Sequence, residues 1–92
     1  MMELQWTRRA LTDLERLYEF LAPASPRAAA LVVQALVDTP TRLLRHPRLG
    51  KRLDEFDPRE VRRILAGRYE IRYELTGATI YVLRLWHTRE DR

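Results

Sequence analysis

The sequence predicts an α+β fold, with an N-terminal strand and an antiparallel helical hairpin packed on an antiparallel β-sheet that a C-terminal three-strand meander completes. Two patterns support this prediction. In the first half, apolar residues recur at helical spacing in two segments that a proline-containing turn separates. In the second half, apolar and polar residues alternate with the period of strands, and glycines lie between the segments. At 92 residues we expect one domain over residues 1–92.

The N-terminal segment predicts a short strand followed by a capped helix. Residues 3–6, ELQW, form the candidate strand, and the hydroxyl of Thr7 suits the N-cap of a helix that begins at Arg8. Pro23 ends this helix. Its apolar stripe, at the spacing of one helix face, consists of Leu11, Leu14, Leu17, Tyr18 and Leu21. Asp13 falls outside this stripe.

A second helix is predicted to begin at Ser25-Pro26, with serine as the cap and proline at the first helical position. Its apolar stripe consists of Ala29, Val32, Val33, Leu36 and Val37. Pro40 interrupts this helix, because a proline in a helix interior removes a hydrogen bond. We expect either a kink near Thr39 or a new turn of helix that runs to Arg45.

Three strands are expected at residues 60–66, 69–75 and 79–86. In the second of them the apolar side chains, which we expect to face the helical hairpin, are Tyr69, Ile71, Tyr73 and Leu75. The last strand is apolar on both faces except for Arg84. Its second face therefore needs cover, which suggests a partner chain.

Composition narrows the classes of function. The chain has no cysteine, no signal-peptide core and no apolar run long enough for a membrane span, so we expect a cytoplasmic protein without a membrane partner. It has no glycine-rich phosphate loop and no cluster of metal ligands, so we expect no cofactor, metal or small-molecule ligand. The net charge is +4, and every basic residue except Lys51 is arginine. Arginine suits phosphate and carboxylate, although a GC-rich genome gives the same bias.

Cations in the second half of the chain are the candidate partner-binding residues. The residues that we expect to contact an acidic partner or nucleic acid are Lys51, Arg52, Arg62 and Arg89. The alternative is that the arginines only pair with neighbouring acids. On one face of the strand at 69–75, for example, Arg72 lies between Glu70 and Glu74, and exposed pairs of this kind contribute little stability.

Several passages, taken in order, resemble the RelE/ParE superfamily of toxins from type II toxin–antitoxin systems. They are Trp6-Thr7 before Asp13-Leu14, YEFLA at 18–22, SPRAA at 25–29, LLRHPRLG at 43–50, VRRILAGRYEIRYEL at 61–75 and IYVLRLWHTRED at 80–91. The resemblance covers nearly the whole chain. It implies the fold described above, a cognate antitoxin bound around the toxin, and growth arrest when the toxin is released.

One branch of this superfamily, RelE, cleaves mRNA in the ribosomal A site. Such a ribonuclease needs cations near the scissile phosphate and acid–base groups near the 2′-hydroxyl. The resemblance places Arg68-Tyr69-Glu70 at the GYR motif of that branch, so that a glutamate stands where an arginine is expected, and no late tyrosine follows. If the chain is a ribonuclease, the catalytic candidates are Arg72, His87 and Arg89.

The other branch, ParE, poisons DNA gyrase, and its sequences commonly end the last strand with a passage similar to His87-Thr88-Arg89. We therefore favour a ParE-like inhibitor of DNA gyrase without enzymatic activity over a RelE-like endonuclease that acts on ribosome-bound mRNA. His87 then only ends a strand and hydrogen-bonds a backbone carbonyl. Two further hypotheses are a non-toxic nucleic-acid-binding module and a degenerate toxin.

Overall fold

The computed structural model describes residues 1–90, so that Asp91 of the last quoted motif and the terminal Arg92 lie outside the described residues. In chain order the helices and strands are β1 (Glu3–Trp6), α1 (Arg8–Leu21), α2 (Pro26–Asp38), β2 (Lys51–Arg52), β3 (Glu60–Ala66), β4 (Tyr69–Thr76) and β5 (Thr79–His87). Two 3₁₀ segments lie at Thr39–Leu44 and Asp54–Phe56. The predicted α+β fold is confirmed.

The five strands form one sheet in the order β1-β5-β4-β3-β2. The predicted meander of β3, β4 and β5 is antiparallel. β1 departs from the fully antiparallel sheet that the sequence predicts, because it pairs parallel with β5, Glu3 opposite Thr79. The alternation of side chains identifies a strand but not the direction in which it pairs. β2 was also not predicted, since its two residues lie in a segment that reads as a basic loop.

Both helices begin at the predicted caps. Thr7 Oγ1 accepts a hydrogen bond from the backbone N–H of Ala10 (3.2 Å) and donates to the carbonyl oxygen of Val82 (2.8 Å), so that it also ties the helix to β5. Ser25 Oγ accepts from the backbone N–H of Ala28 (3.1 Å). Of the two alternatives expected at Pro40, a kink or a new turn to Arg45, the structure has a new turn, the 3₁₀ segment Thr39–Leu44, which ends one residue earlier than expected.

The core lies between the helical hairpin and one face of the sheet. Its buried side chains come from every layer of the fold and include Ala10, Leu17, Leu36, Leu43, Ile64, Ile71, Tyr73, Ile80, Val82 and Leu85. The predicted stripe of α1 is partly wrong: Leu11 and Tyr18 are 45% and 42% exposed, whereas Asp13 is only 4% exposed. The helix buries the face that carries Asp13 because that carboxylate has partners on β5.

The second face of the sheet is partly covered by the chain itself. Phe56, in the 3₁₀ segment Asp54–Phe56, lies beside the side chain of Arg72, and Val61 and Trp86 are buried there. Leu65, on the same face of β3 as Val61, is 54% exposed. We call this second face the open face. The cover that the apolar last strand requires therefore comes in part from this chain.

No helix within residues 1–90 combines the length and the apolar character that a membrane span needs.

Candidate functional site

The turn after β5 fixes the position of His87. The backbone N–H of Arg89 donates to His87 Nδ1 (3.0 Å), and the backbone N–H of His87 donates to the carboxylate of Glu90 (2.9 Å). The imidazole and the ring of Tyr69 meet edge to face, with centroids 5.1 Å apart. Because Nδ1 accepts a hydrogen bond, the neutral ring carries its proton on Nε2. The expected bond to a backbone carbonyl is wrong, since the partner is a backbone amide.

A cavity of about 700 Å³ lies beside this turn, and we call it the C-terminal cavity. It is lined by Arg16, Phe20, Leu21, Tyr69, His87, Arg89 and Glu90. Burial, and then the negative charge of Glu90, raise the pKa of Tyr69. Its phenol is therefore a hydrogen-bond donor at neutral pH. Arg89 has no ion pair within residues 1–90, whereas the guanidinium of Arg16 lies 3.5 Å from the carboxylate of Glu90.

Arg72 lies on the open face, away from this cavity. Its guanidinium carbon is 4.7 Å from the ring centroid of Trp86 and 5.1 Å from that of Phe56, which are distances for cation–π contacts. Its Nε is buried and has no hydrogen-bond partner within the described chain. His87 pairs with Tyr69 on the other face of the sheet. The three predicted catalytic candidates therefore do not form one site, and only His87 and Arg89 lie together.

Two of the four predicted partner-binding cations are neutralised by acids of this chain. Arg52 donates through Nη2 to the carboxylate of Asp57 (2.8 Å), and Arg62 donates through Nε to that of Glu60 (2.9 Å). Burial would raise the pKa of Glu60, but hydrogen bonds from Arg48 and Arg62 outweigh it and lower that pKa. The carboxylate of Glu60 therefore stays ionised beside the two guanidinium groups.

The other two cations, Lys51 and Arg89, lie apart. Lys51 is exposed on the edge strand β2 and has no ion pair within residues 1–90. Arg89 follows β5, which β3 and β4 separate from β2. The predicted partner-binding cations therefore do not share one surface: Lys51 lies at the edge formed by β2, and Arg89 lies at the C-terminal cavity.

An ion pair between the buried Asp13 and the half-buried Arg84 joins α1 to β5, and it was not predicted. Arg84 Nε donates to Asp13 Oδ2 (2.7 Å), and the backbone N–H of Leu85 donates to the same oxygen (2.9 Å). Burial would raise the pKa of Asp13, but the hydrogen bonds from Arg84 and Leu85 outweigh it, so that the pKa lies below its ordinary value. A register shift in the β4–β5 pairing lies close to Arg84. The lone arginine in an apolar strand was the available signal for this pair.

A second unpredicted contact fixes the loop before β2. The hydroxyl of Tyr73 donates to the carbonyl oxygen of Pro47 (2.9 Å) and accepts from the backbone N–H of Gly50 (2.9 Å). Arg62 Nη1 donates to the carbonyl oxygen of Gly50 (2.7 Å). A Cβ at Gly50 would lie 2.4 Å from the carbonyl oxygen of Arg63, so that only glycine fits there.

A family of sequences described as "ParE toxin of type II toxin-antitoxin system, parDE" matches residues 4–92 of the chain. The chain belongs to the ParE toxin family. It is a toxin of a type II toxin–antitoxin system within the RelE/ParE superfamily, as the sequence predicts. Membership of the ParE family also implies a cognate antitoxin as its partner.

The relatives of this ParE-family chain carry the names of both branches. Toxin RelE1 of Caulobacter vibrioides is 36% identical over 86 residues, which cover 91% of this chain and 90% of that protein. Toxin RelE2 of the same organism is 30% identical over 87 residues, 95% and 96% of the two chains. A solved chain of the chromosomal ParDE TA system from P. aeruginosa is 27% identical, with a TM-score of 0.78 over 95% and 96% of the chains.

The passage Arg68-Tyr69-Glu70, which differs from the GYR motif of the RelE branch, lies at the start of β4 in this ParE-family chain. Glu70 follows Tyr69, and its carboxylate oxygens are 3.6 Å from the guanidinium groups of Arg63 and Arg72. Its side chain is 13% exposed. One carboxylate therefore lies between two cations on the open face. Within residues 1–90 no three His, Asp or Glu side chains gather where a metal ion could be held.

Proposed function

We propose that this toxin arrests growth by poisoning DNA gyrase and performs no RNA cleavage of its own. The observation that supports this most is the separation of the catalytic candidates. Arg72 stacks on Trp86 on the open face, whereas His87 packs on Tyr69 at the other face. A ribonuclease needs its cations and its acid–base group within reach of one phosphate, so Arg72 cannot act together with His87, and Arg89 is the candidate cation that lies beside it.

The position of the Glu70 carboxylate also argues against RNA cleavage on the open face. The carboxylate lies 3.6 Å from both Arg63 and Arg72 and forms ion pairs with these two cations of the open face. A phosphate brought to the same place would be repelled by this negative charge. We therefore propose that the open face does not hold a scissile phosphodiester.

The alternative function is ribosome-dependent cleavage of mRNA, and the C-terminal cavity favours it. Tyr69, His87 and Arg89 line this one cavity of about 700 Å³. In this alternative the imidazole or the phenol moves the proton, and Arg89 neutralises the phosphate. The names of the two Caulobacter relatives agree with this alternative. Both targets are cytoplasmic, so either function implies a cytoplasmic location.

Two parallel assays with the purified chain test the proposal. One measures supercoiling and the accumulation of gyrase–DNA breaks, and the other measures cleavage of mRNA on programmed ribosomes. We expect stabilised breaks and intact mRNA. Cuts at codon positions that disappear in His87→Ala or Arg89→Ala would replace the proposal with the endonuclease. A folded chain that is inactive in both assays but binds its antitoxin would be a degenerate toxin.

A further inference from the structure

A second cavity, of about 360 Å³, lies where the 3₁₀ segment Thr39–Leu44 meets the edge of β2 and β3. It is lined by Thr39, Arg42, Leu49, Gly50, Lys51, Arg63, Ile64 and Leu65. Its three cations come from three separate elements of the chain, so that the fold and not a local charge run brings them together. We call it the edge cavity.

The cations of the edge cavity have less negative charge beside them than the other cations of this region. Arg42 and Lys51 are exposed and have no ion pair within residues 1–90. Arg63 shares the carboxylate of Glu70 with Arg72, at 3.6 Å from each, so that Arg42 and Lys51 supply the positive charge available to a ligand. By contrast, Arg48, Arg52 and Arg62 each donate to a carboxylate at 2.8 to 2.9 Å. The edge cavity therefore keeps an excess of positive charge.

The backbone beneath these cations is held in place before any ligand binds. Gly50 donates its N–H to Tyr73 and accepts from Arg62 at its carbonyl oxygen. Lys51 follows directly and pairs with Arg63 in the sheet. A fixed backbone lowers the ordering cost that binding would otherwise carry. The exposed side chains of Leu49 and Leu65, at 48% and 54%, add an apolar surface at the same cavity.

We infer that the edge cavity binds phosphate groups of the DNA backbone. Arginine forks and a lysine point charge are the usual partners of phosphate, and the apolar leucines suit the faces of deoxyribose. The choice of duplex DNA over RNA rests on the proposed function, since gyrase presents its inhibitor with a bound duplex. The edge cavity would then contact the DNA of that complex directly, at a surface separate from the C-terminal cavity.

The test is the binding of the purified chain to a fluorescent DNA duplex, measured by anisotropy at a series of salt concentrations. The variant Arg42→Gln/Lys51→Gln removes the two unpaired cations. The slope of log affinity against log salt is negative, and each lost phosphate contact makes it less steep by about 0.9. We therefore expect the slope of this variant to be less steep by about 2. The matched control Arg8→Gln/Arg9→Gln removes the same charge from exposed arginines of α1 and should change the slope far less.

Equal effects of the two double variants would overturn the inference, because binding would then follow net charge alone. Tighter binding of single-stranded RNA or of polyglutamate of equal charge would overturn it in favour of RNA or of an acidic protein segment. Variant-sensitive binding of inorganic phosphate without DNA binding would identify a free phosphate as the ligand. The assay contains no gyrase, so a wild-type chain that does not bind the duplex but still causes gyrase-dependent breaks would refute this inference and leave the proposed function standing.

Discussion

Asp13 is the side chain on which the join between α1 and the sheet depends. Its carboxylate accepts from the guanidinium of Arg84 and from the backbone N–H of Leu85, and it is 4% exposed. β1 ends at Trp6, opposite Val82, so that beyond this point the carboxylate, not a strand, satisfies the amide of Leu85. The Asp13 carboxylate therefore takes the place of a neighbouring strand at this edge of β5.

Asp13→Asn should lower the free energy of unfolding by about 2–3 kcal/mol, because it removes a charge-assisted bond and leaves Arg84 half-satisfied. Urea denaturation measures this change. The matched control is Glu15→Gln, an exposed acid on the same helix without an ion pair within residues 1–90, which should stay within about 0.5 kcal/mol of the wild type. Equal effects of the two changes would mean that the buried pair contributes nothing.

The same carboxylate predicts a loss of stability in acid. The folded pKa of Asp13 is lowered, so its contribution is fully present above the unfolded pKa of about 3.9 and is lost as the pH falls through the folded value. Urea denaturation at pH values from 6 to 2 should show a shallower decline in Asp13→Asn than in the wild type or Glu15→Gln. Glu60, whose pKa is also lowered, accounts for part of the decline that persists.

At the scale of elements, the loop before β2 is held by one hydroxyl. Tyr73 donates to Pro47 and accepts from Gly50 from inside the core, where burial raises the pKa of its phenol and keeps it protonated. Because β2 is two residues long, its position depends on this bridge as much as on its pairing.

Tyr73→Phe should cost about 1–3 kcal/mol of stability, since the buried N–H of Gly50 loses its acceptor while the ring still fills the core. The control Tyr81→Phe removes a hydroxyl from a half-buried tyrosine of β5 that has no hydrogen bond within residues 1–90. Faster amide exchange at Gly50 and Lys51 in Tyr73→Phe would locate the effect at the loop. Unchanged exchange and stability would show that the bridge does not hold β2.

The sequence was most informative where one local rule determines an element. The caps at Thr7 and Ser25 and the three strands of the meander are local patterns, and they were predicted within one residue of their observed bounds. The parallel pairing of β1 and the burial of Asp13 depend on contacts with β5, more than 70 residues away. Such contacts leave no periodic signal. The lone Arg84 in an apolar strand indicated that it needs a partner, but not that the partner is Asp13.

The candidate sites show the same limit. The sequence identified His87 and Arg89 as neighbours, and the structure places both at the C-terminal cavity. It could not separate Arg72 from them, because the face on which a side chain lies across the sheet depends on strand register. It also did not predict that Arg42 lies beside Lys51, since a 3₁₀ segment and an edge strand meet there only in the folded chain.

At the scale of the whole molecule, three surfaces differ in how their charges are used. The open face holds its cations against Glu70, Trp86 and Phe56, and the C-terminal cavity holds His87 in a closed turn. The edge cavity contains Arg42 and Lys51, which have no ion pair within residues 1–90. A gyrase poison without chemistry of its own requires no proton transfer at His87. The imidazole should therefore be dispensable for toxicity as long as the turn keeps its fold.

Gyrase poisoning is tested most directly by the yield of gyrase-dependent double-strand breaks in supercoiled plasmid, with purified wild-type chain and His87→Ala compared at equal folded concentration. We expect breaks that increase with the concentration of the chain and are equal for the two proteins. No breaks at any concentration, together with mRNA cuts on programmed ribosomes that His87→Ala abolishes, would contradict the proposed function.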